Sequence, residues 1–181
     1  MARRSIFISL VFVASISACR PAAAPINISN RPVSINDVKL VKPLGEMSWT
    51  DEDGALQKVS DLRGKVLILD FWATYCIPCK EEIPHLNQLA ARHGDTLQVI
   101  GLNAGGDEDK PKIPAFRYET PIQYKLAFPE DDLISFIFGD DSRIPQTVVI
   151  DRNGRLVKKI IGFSEQIRSE LDAAVDQAVR Q

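Results

Sequence analysis

Beyond residue 41 the chain breaks into short runs whose apolar period changes from one to the next. Residues 65–71 are almost continuously apolar between polar boundaries, the pattern of a central strand buried on both faces. Ile83, Leu86, Leu89 and Ala90 then recur at helical spacing up to His93-Gly94, where glycine supplies a natural stop. Residues 97–102 form a second apolar run. A strand, a helix and a strand in that order predict a right-handed crossover onto a parallel sheet. Residues 147–150 and 155–161 are β-rich and joined through Asp151-Arg152-Asn153-Gly154, so they are expected as an antiparallel hairpin. Ser164 is placed to cap a last helix carrying Ile167, Leu171, Val175 and Ala178 on one face.

The remaining stretches carry weaker signals. Residues 47–49 and 55–59 flank a turn at 51–54 and predict a short N-terminal hairpin, and residues 60–64 read as a helical turn. Prolines 111, 114, 121 and 129 cut residues 103–139 into pieces, for which a helix near 113–118, a strand near 123–127 and a helix near 132–138 are expected. The class is α/β: a central mixed β-sheet flanked by helices, with the hairpin as an N-terminal extension.

The start of the chain has a different character. Arg3 and Arg4 precede an apolar run over residues 6–16, followed by Ile16-Ser17-Ala18-Cys19, which predicts a cleaved leader over residues 1–18. The run falls short of the ~20 apolar residues of a membrane-spanning helix. Its ending resembles the lipobox of bacterial lipoproteins, which implies cleavage before Cys19 and lipid on that cysteine. The alternatives are an ordinary secretory leader cut near Ala24, which would discard Cys19, and a transmembrane segment. Residues 19–41, rich in Pro, Ala, Asn and Ser, read as a tether, and residues 42–181 as the folded domain. The expected location is extracytoplasmic, anchored to a membrane through Cys19, and periplasmic in a Gram-negative cell.

A length of 181 residues with 45% hydrophobic side chains suffices for one domain after leader and tether are set aside. The formal charge of −2 becomes −4 once Arg3 and Arg4 leave, and no run of Lys and Arg offers a footprint for nucleic acid. Three cysteines less the expected anchor leave a single pair, Cys76 and Cys79.

That pair carries the chemistry. A Cys-x-x-Cys directly after a buried strand and at the opening of a helix places Cys76 where unpaired backbone N–H groups and the helix dipole stabilise a thiolate. Cys76 is therefore expected to attack disulfides. Cys79, one turn inside, is expected to resolve the mixed disulfide, releasing reduced substrate and leaving a Cys76–Cys79 disulfide that another dithiol must reduce.

Four motifs together resemble the thioredoxin superfamily, and specifically its TlpA/ResA-like membrane-associated members, over roughly residues 42–178. They are Asp70-Phe71-Trp72-Ala73-Thr74, Cys76-Ile77-Pro78-Cys79, Lys80-Glu81-Glu82-Ile83-Pro84, and Ile144-Pro145-Gln146-Thr147 leading into Val148-Val149-Ile150-Asp151. The resemblance implies a thioredoxin-like fold and thiol-disulfide exchange without a cofactor or metal. It implies a cis-proline at Pro145, beside Ile144, for docking substrate, with Trp72 and Tyr75 near the same surface, although Trp72 suits the core better than the rim. Asp70 matches the buried acid of thioredoxins that takes the proton from the resolving thiol, where many TlpA-like relatives carry Asn, and Glu82 matches an acid of the ResA-like group. The bland alternatives are a strand-end residue for Asp70 and a solvated helix face for Glu82. Tyr75 replaces the usual tryptophan, which bears on partner choice. Partners implied are protein disulfides, apocytochrome c among them, and a membrane electron donor.

Ile77 and Pro78 bring no charge between the cysteines, and Pro78 lacks an N–H, which points to a reductase over an oxidant or isomerase. His85 and His93 are expected at the surface. A Zn site would need both histidines to reach the cysteines. A copper module would use a wider cysteine spacing with a histidine, and a peroxiredoxin would need threonine where Ala73 stands. A purely structural Cys76–Cys79 bridge would close too small a loop to stabilise much.

Overall fold

The structure, a computed structural model, describes residues 42–181; the expected leader, Cys19 and the tether lie outside the described residues. Seven strands, β1 (Ser48–Asp51), β2 (Leu56–Lys58), β3 (Val66–Trp72), β4 (Leu97–Asn103), β5 (Lys125–Pro129), β6 (Gln146–Ile150) and β7 (Leu156–Ile161), form one sheet in the order β2-β1-β5-β4-β3-β6-β7. Four helices accompany them: α1 (Ile77–His93), α2 (Ile113–Glu119), α3 (Asp131–Phe138) and α4 (Glu165–Arg180). Among the described residues no helix is long and apolar enough to cross a membrane.

The seven residues of β3 are all buried, as its apolar run predicts, and β3 runs parallel to β4 and antiparallel to β6. The mixed α/β sheet flanked by helices is therefore the observed class. Because side chains alternate along a strand, β3 feeds two cores. Val66, Ile68 and Trp72 pack with Cys79, Ile83 and Leu86 of α1 and Leu171, Val175 and Ala178 of α4. Leu67, Leu69 and Phe71 pack on the opposite side with Met47, Trp49, and Leu133 and Ile137 of α3. The same alternation assigns Asp70 to the α1 side, between Ile68 and Trp72.

The N-terminal hairpin is built into the sheet, since β1 pairs antiparallel with β5, with Thr50 opposite Phe128. Its turn matches the one between β6 and β7. In both, an aspartate carbonyl accepts from a glycine N–H, Gly54 to Asp51 and Gly154 to Asp151, each at 2.9 Å. Gly54 and Gly154 both have φ near +80°, at 82° and 81°, a conformation that glycine adopts without the steric cost of a Cβ. The Asn153-Gly154 step thus closes a longer loop, Asp151 to Arg155, instead of a two-residue turn.

Two sequence expectations shift. The strand placed at 123–127 lies at Lys125–Pro129, where pairing with β1 draws it forward and Pro129 is tolerated as the last residue. The helical turn expected at 60–64 is a 3₁₀ turn over Val59–Leu62, one to two residues earlier. Pro114 sits in the first turn of α2, where its missing N–H costs nothing, so the helix begins at Ile113 close to expectation.

Candidate active site

Cys76 is the N-cap of α1, just past the carboxyl end of β3, and is disulfide-bonded to Cys79 with 5.3 Å between their Cα atoms. The Cys79 N–H donates to Cys76 Sγ at 3.2 Å, and Pro78 occupies the first helical turn. Cys76 is 5% exposed and Cys79 1%, so an attacking group meets Cys76 first. Around them Tyr75 and Ile77 stand out into solvent at 66% and 72% exposure. The Ile144–Pro145 bond is cis, Pro145 is buried and Ile144 is half-buried.

Behind the cysteines lies a buried polar group. Asp70 and Glu82 are both almost fully buried. Tyr124 donates its phenol O–H to Asp70 Oδ2 at 3.2 Å, and Thr147 donates its hydroxyl to Glu82 Oε1 at 2.6 Å. Asp70 Oδ1, Glu82 Oε2 and Trp72 Nε1 have no hydrogen-bond partner among the described residues. Burial pushes the Asp70 carboxyl up to about 7, with the Tyr124 hydrogen bond opposing it. Burial, reinforced by the charge of Asp70, pushes Glu82 well above the usual carboxylate range. Tyr124 is itself pushed well above the usual phenol range, chiefly by burial.

The turn before Cys76 is held from the other side. Asp109, buried in the loop after β4, accepts the Thr74 backbone N–H and the Asn103 side-chain amide on Oδ2, at 2.9 and 2.8 Å, and the Thr74 hydroxyl on Oδ1. The Ala104 N–H donates to the Trp72 carbonyl at 2.8 Å, which ties the same loop to the end of β3.

A model of the family described as Redoxin matches residues 36–175. The chain belongs to the redoxin family. The thiol-disulfide oxidoreductase ResA of Bacillus thuringiensis (strain Al Hakam) is 31% identical to it over 124 residues, covering 68% of this chain and 69% of ResA. A thiol:disulfide interchange protein of Chlorobium tepidum TLS superposes with a TM-score of 0.58 at 26% identity, covering 76% of this chain and 97% of that one. StoA of Bacillus subtilis, at 19% identity and a TM-score of 0.55 over 70% of this chain and 98% of its own, shares the fold. This redoxin is a TlpA/ResA-like member of the thioredoxin superfamily and a thiol-disulfide oxidoreductase.

The fold of this redoxin brings Cys76, Cys79, Asp70 and Glu82 to one face of β3, and Tyr75, Ile144 and Pro145 lie in the segments beside it. Trp72 takes the core position and not the substrate-facing rim: it is fully buried and meets Phe116 at a tilt with ring centroids 4.8 Å apart, so it supports the site from beneath. Neither bland alternative describes the acids, since Asp70 is not a solvated strand end and Glu82 is not on a solvated helix face. His85 is not at the surface either. It is 3% exposed, with Nε2 2.9 Å from Asp172 Oδ1 of α4, because it follows Glu82 by three residues and so shares the inward face of α1. Burial, opposed by Asp172, lowers its pKa. His93 is half-buried.

Three participants escaped the sequence reading: Tyr124, Asp109 and Gly101. Gly101 lies opposite Asp70 in the β3–β4 register, and a Cβ there would sit 2.8 Å from both Tyr124 Cε2 and Leu126 Cδ2. A glycine inside an otherwise apolar strand was the available signal, since it marks close approach by another group.

Proposed function

We propose that this thiol-disulfide oxidoreductase works as an extracytoplasmic reductase of protein disulfides, with Cys76 as nucleophile and Cys79 as resolving thiol. The observation that carries the direction is the amino end of α1. Cys76 Sγ accepts one backbone N–H, from Cys79, while Pro78 in the same turn has none to give and Ile77 is uncharged and exposed. A thiolate with fewer donors is less stabilised, and a dithiol whose reduced form is less stabilised is the stronger reductant.

In the reductive half-cycle the Cys76 thiolate attacks a substrate disulfide and expels one substrate thiolate. Cys79 gives its proton to Asp70, attacks Cys76 and expels the second thiolate, so the substrate gains two electrons and the protein keeps the disulfide. Ile144, whose backbone has no hydrogen-bond partner among the described residues, offers a free edge for an extended substrate segment beside Pro145, with Tyr75 at its rim. Lipid on Cys19 anchors the domain, a membrane dithiol donor re-reduces it, and a disulfide such as that of an apocytochrome c is the substrate type. The lipobox-like ending Ile16-Ser17-Ala18-Cys19 and the likeness to ResA support that placement.

The test of direction is the reduction potential of the Cys76/Cys79 couple, from equilibration in defined thiol buffers, alkylation and mass measurement. A value near or below ~−250 mV is expected, and one above ~−200 mV would make the protein an oxidant or isomerase. Anchoring is tested by labelling cells with a fatty acid: label on the wild-type chain and none on Cys19→Ala is the expected result.

A further inference from the structure

The two buried carboxyls differ in the donor each one meets. Asp70 receives a phenol O–H from Tyr124, and Glu82 an aliphatic hydroxyl from Thr147. A phenol is far more acidic than an alcohol and is the stronger donor to a developing carboxylate. The chain makes room for it: Gly101, opposite Asp70, has no side chain where the Tyr124 ring passes.

Among the described residues the elements around Asp70 bring no cation to compete with that donor. From α1 come Cys79 and Glu82, from the segment before β5 Tyr124, from β6 Thr147, and from α4 the apolar Val175 and Ala178. Lys80 turns outward to Glu119 and over the Phe116 ring, and His85 faces Asp172. The hydroxyl donor each carboxyl meets is therefore a difference between them that no cation obscures.

We propose that Tyr124 is a positioning residue that makes Asp70, and not Glu82, the proton acceptor for Cys79. Its O–H fixes Asp70 through Oδ2 and offsets the carboxylate charge, leaving Oδ1 to take the thiol proton. Glu82 stays protonated beside it. In the step served, the Cys79 S–H proton moves to Asp70, the Cys79 sulfur bonds to Cys76, and the bond from Cys76 to the substrate breaks. The substrate leaves as a thiolate carrying the electron pair. Burial raises both carboxyls and each hydroxyl bond opposes it, Tyr124 at Asp70 and Thr147 at Glu82, while the Asp70 charge raises Glu82 further.

This inference rests on Asp70 being the acceptor, and the test separates the two. Reduced full-length protein is mixed with dithionitrobenzoate in a stopped-flow instrument; the first release of thionitrobenzoate reports attack by Cys76 and the second reports attack by Cys79. For Tyr124→Phe the pH midpoint of the second phase is expected to rise by about one unit, the worth of one hydrogen bond to a charged group, with a roughly tenfold slower rate below it. The first phase keeps its midpoint. Replacing Tyr124 by a fluorotyrosine, a stronger donor of the same shape, moves the second midpoint down, which a packing role would not do. In an Asp70→Asn background neither change at 124 has an effect on the midpoint. Midpoints unmoved by both Tyr124 variants, with Asp70→Asn still altering the second phase, overturn the role of Tyr124 alone. A second phase untouched by Asp70→Asn removes Asp70 as the acceptor and the proposal with it.

Discussion

Asp109 holds Thr74 by two groups at once, taking its backbone N–H at 2.9 Å on one carboxylate oxygen and its hydroxyl on the other. The loop after β4 thereby clamps the turn that delivers Cys76, two residues on. Gly105 is what lets the carboxylate fit, since a Cβ there would lie 2.5 Å from Asp109.

Removing that clamp exposes its worth. Asp109→Ala leaves a half-buried Thr74 N–H and a buried Asn103 amide without acceptors, which costs on the order of 2–4 kcal/mol. Burial alone would raise the Asp109 pKa, but the bonds from Asn103 and Thr74, with Lys112 4.0 Å away, hold it below the usual range. A carboxyl lowered by folding stabilises the protein above its unfolded pKa near 4, and that contribution fades as pH falls through the lower folded value. Urea unfolding of wild type and variant should therefore show a gap that is full at pH 7 and narrows below about pH 4. An equal gap at pH 7 and pH 3 would deny the ionised clamp.

Asp70 carries the opposite sign. Its folded pKa of about 7 lies above the usual 3.8, so the folded state binds the extra proton between those values. Stability then falls as pH rises from about 4 to 7, and the penalty stands in full above 7. Asp70→Asn cannot ionise and still offers an oxygen to Tyr124. It should be the more stable protein at pH 8 by roughly 2–4 kcal/mol, with little advantage at pH 4. Denaturant midpoints of the oxidised forms across that range measure this directly; a variant less stable than wild type at pH 8 would contradict a strained buried carboxylate.

What the sequence made legible follows from where its signals are local. The apolar run of β3, the helical spacing of α1 and the cysteines at their junction are written in consecutive residues, and each lies within a residue or two of expectation. Strand β5 slips by two residues at both ends, because Tyr124, Leu126 and Phe128 alternate through the whole stretch and only pairing with β1 fixes where it ends. His85 lies inside and not at the surface because its place one turn after Glu82 on α1, and not its polarity, sets which way it faces. Tyr124 and Asp109 act across the fold, one through a gap left by Gly101 and one across the loop to Thr74, and no spacing along the chain encodes such a meeting.

Gly101 should tolerate no side chain. In Gly101→Ala the new methyl meets Tyr124 and Leu126 at 2.8 Å and Trp72 Nε1 at 3.2 Å, inside a packed core with no free direction. Overpacking of this kind costs about 1–3 kcal/mol. A thermal unfolding scan should show the loss, and the fluorescence of Trp72, stacked beneath the site, should shift with the displaced ring. A melting point equal to that of wild type would mean that Tyr124 yields without cost.

The division of labour between the cysteines has its own signature. Cys76 is the more exposed and its Sγ accepts the Cys79 N–H, while Cys79 lies deeper against the core, so the proposed roles make Cys76 the one to meet the incoming disulfide. Cys79→Ser should therefore form a mixed disulfide with oxidised insulin and keep it, because nothing remains to displace the bound chain from Cys76. Cys76→Ser should form almost none: its remaining thiol is 1% exposed in wild type, and it lacks the helix N-cap position that favours a thiolate. Non-reducing electrophoresis followed by peptide mapping distinguishes the two adducts. Trapping through Cys79 in the Cys76→Ser protein, at a rate matching that of Cys79→Ser, would reverse the assignment of nucleophile and resolving thiol.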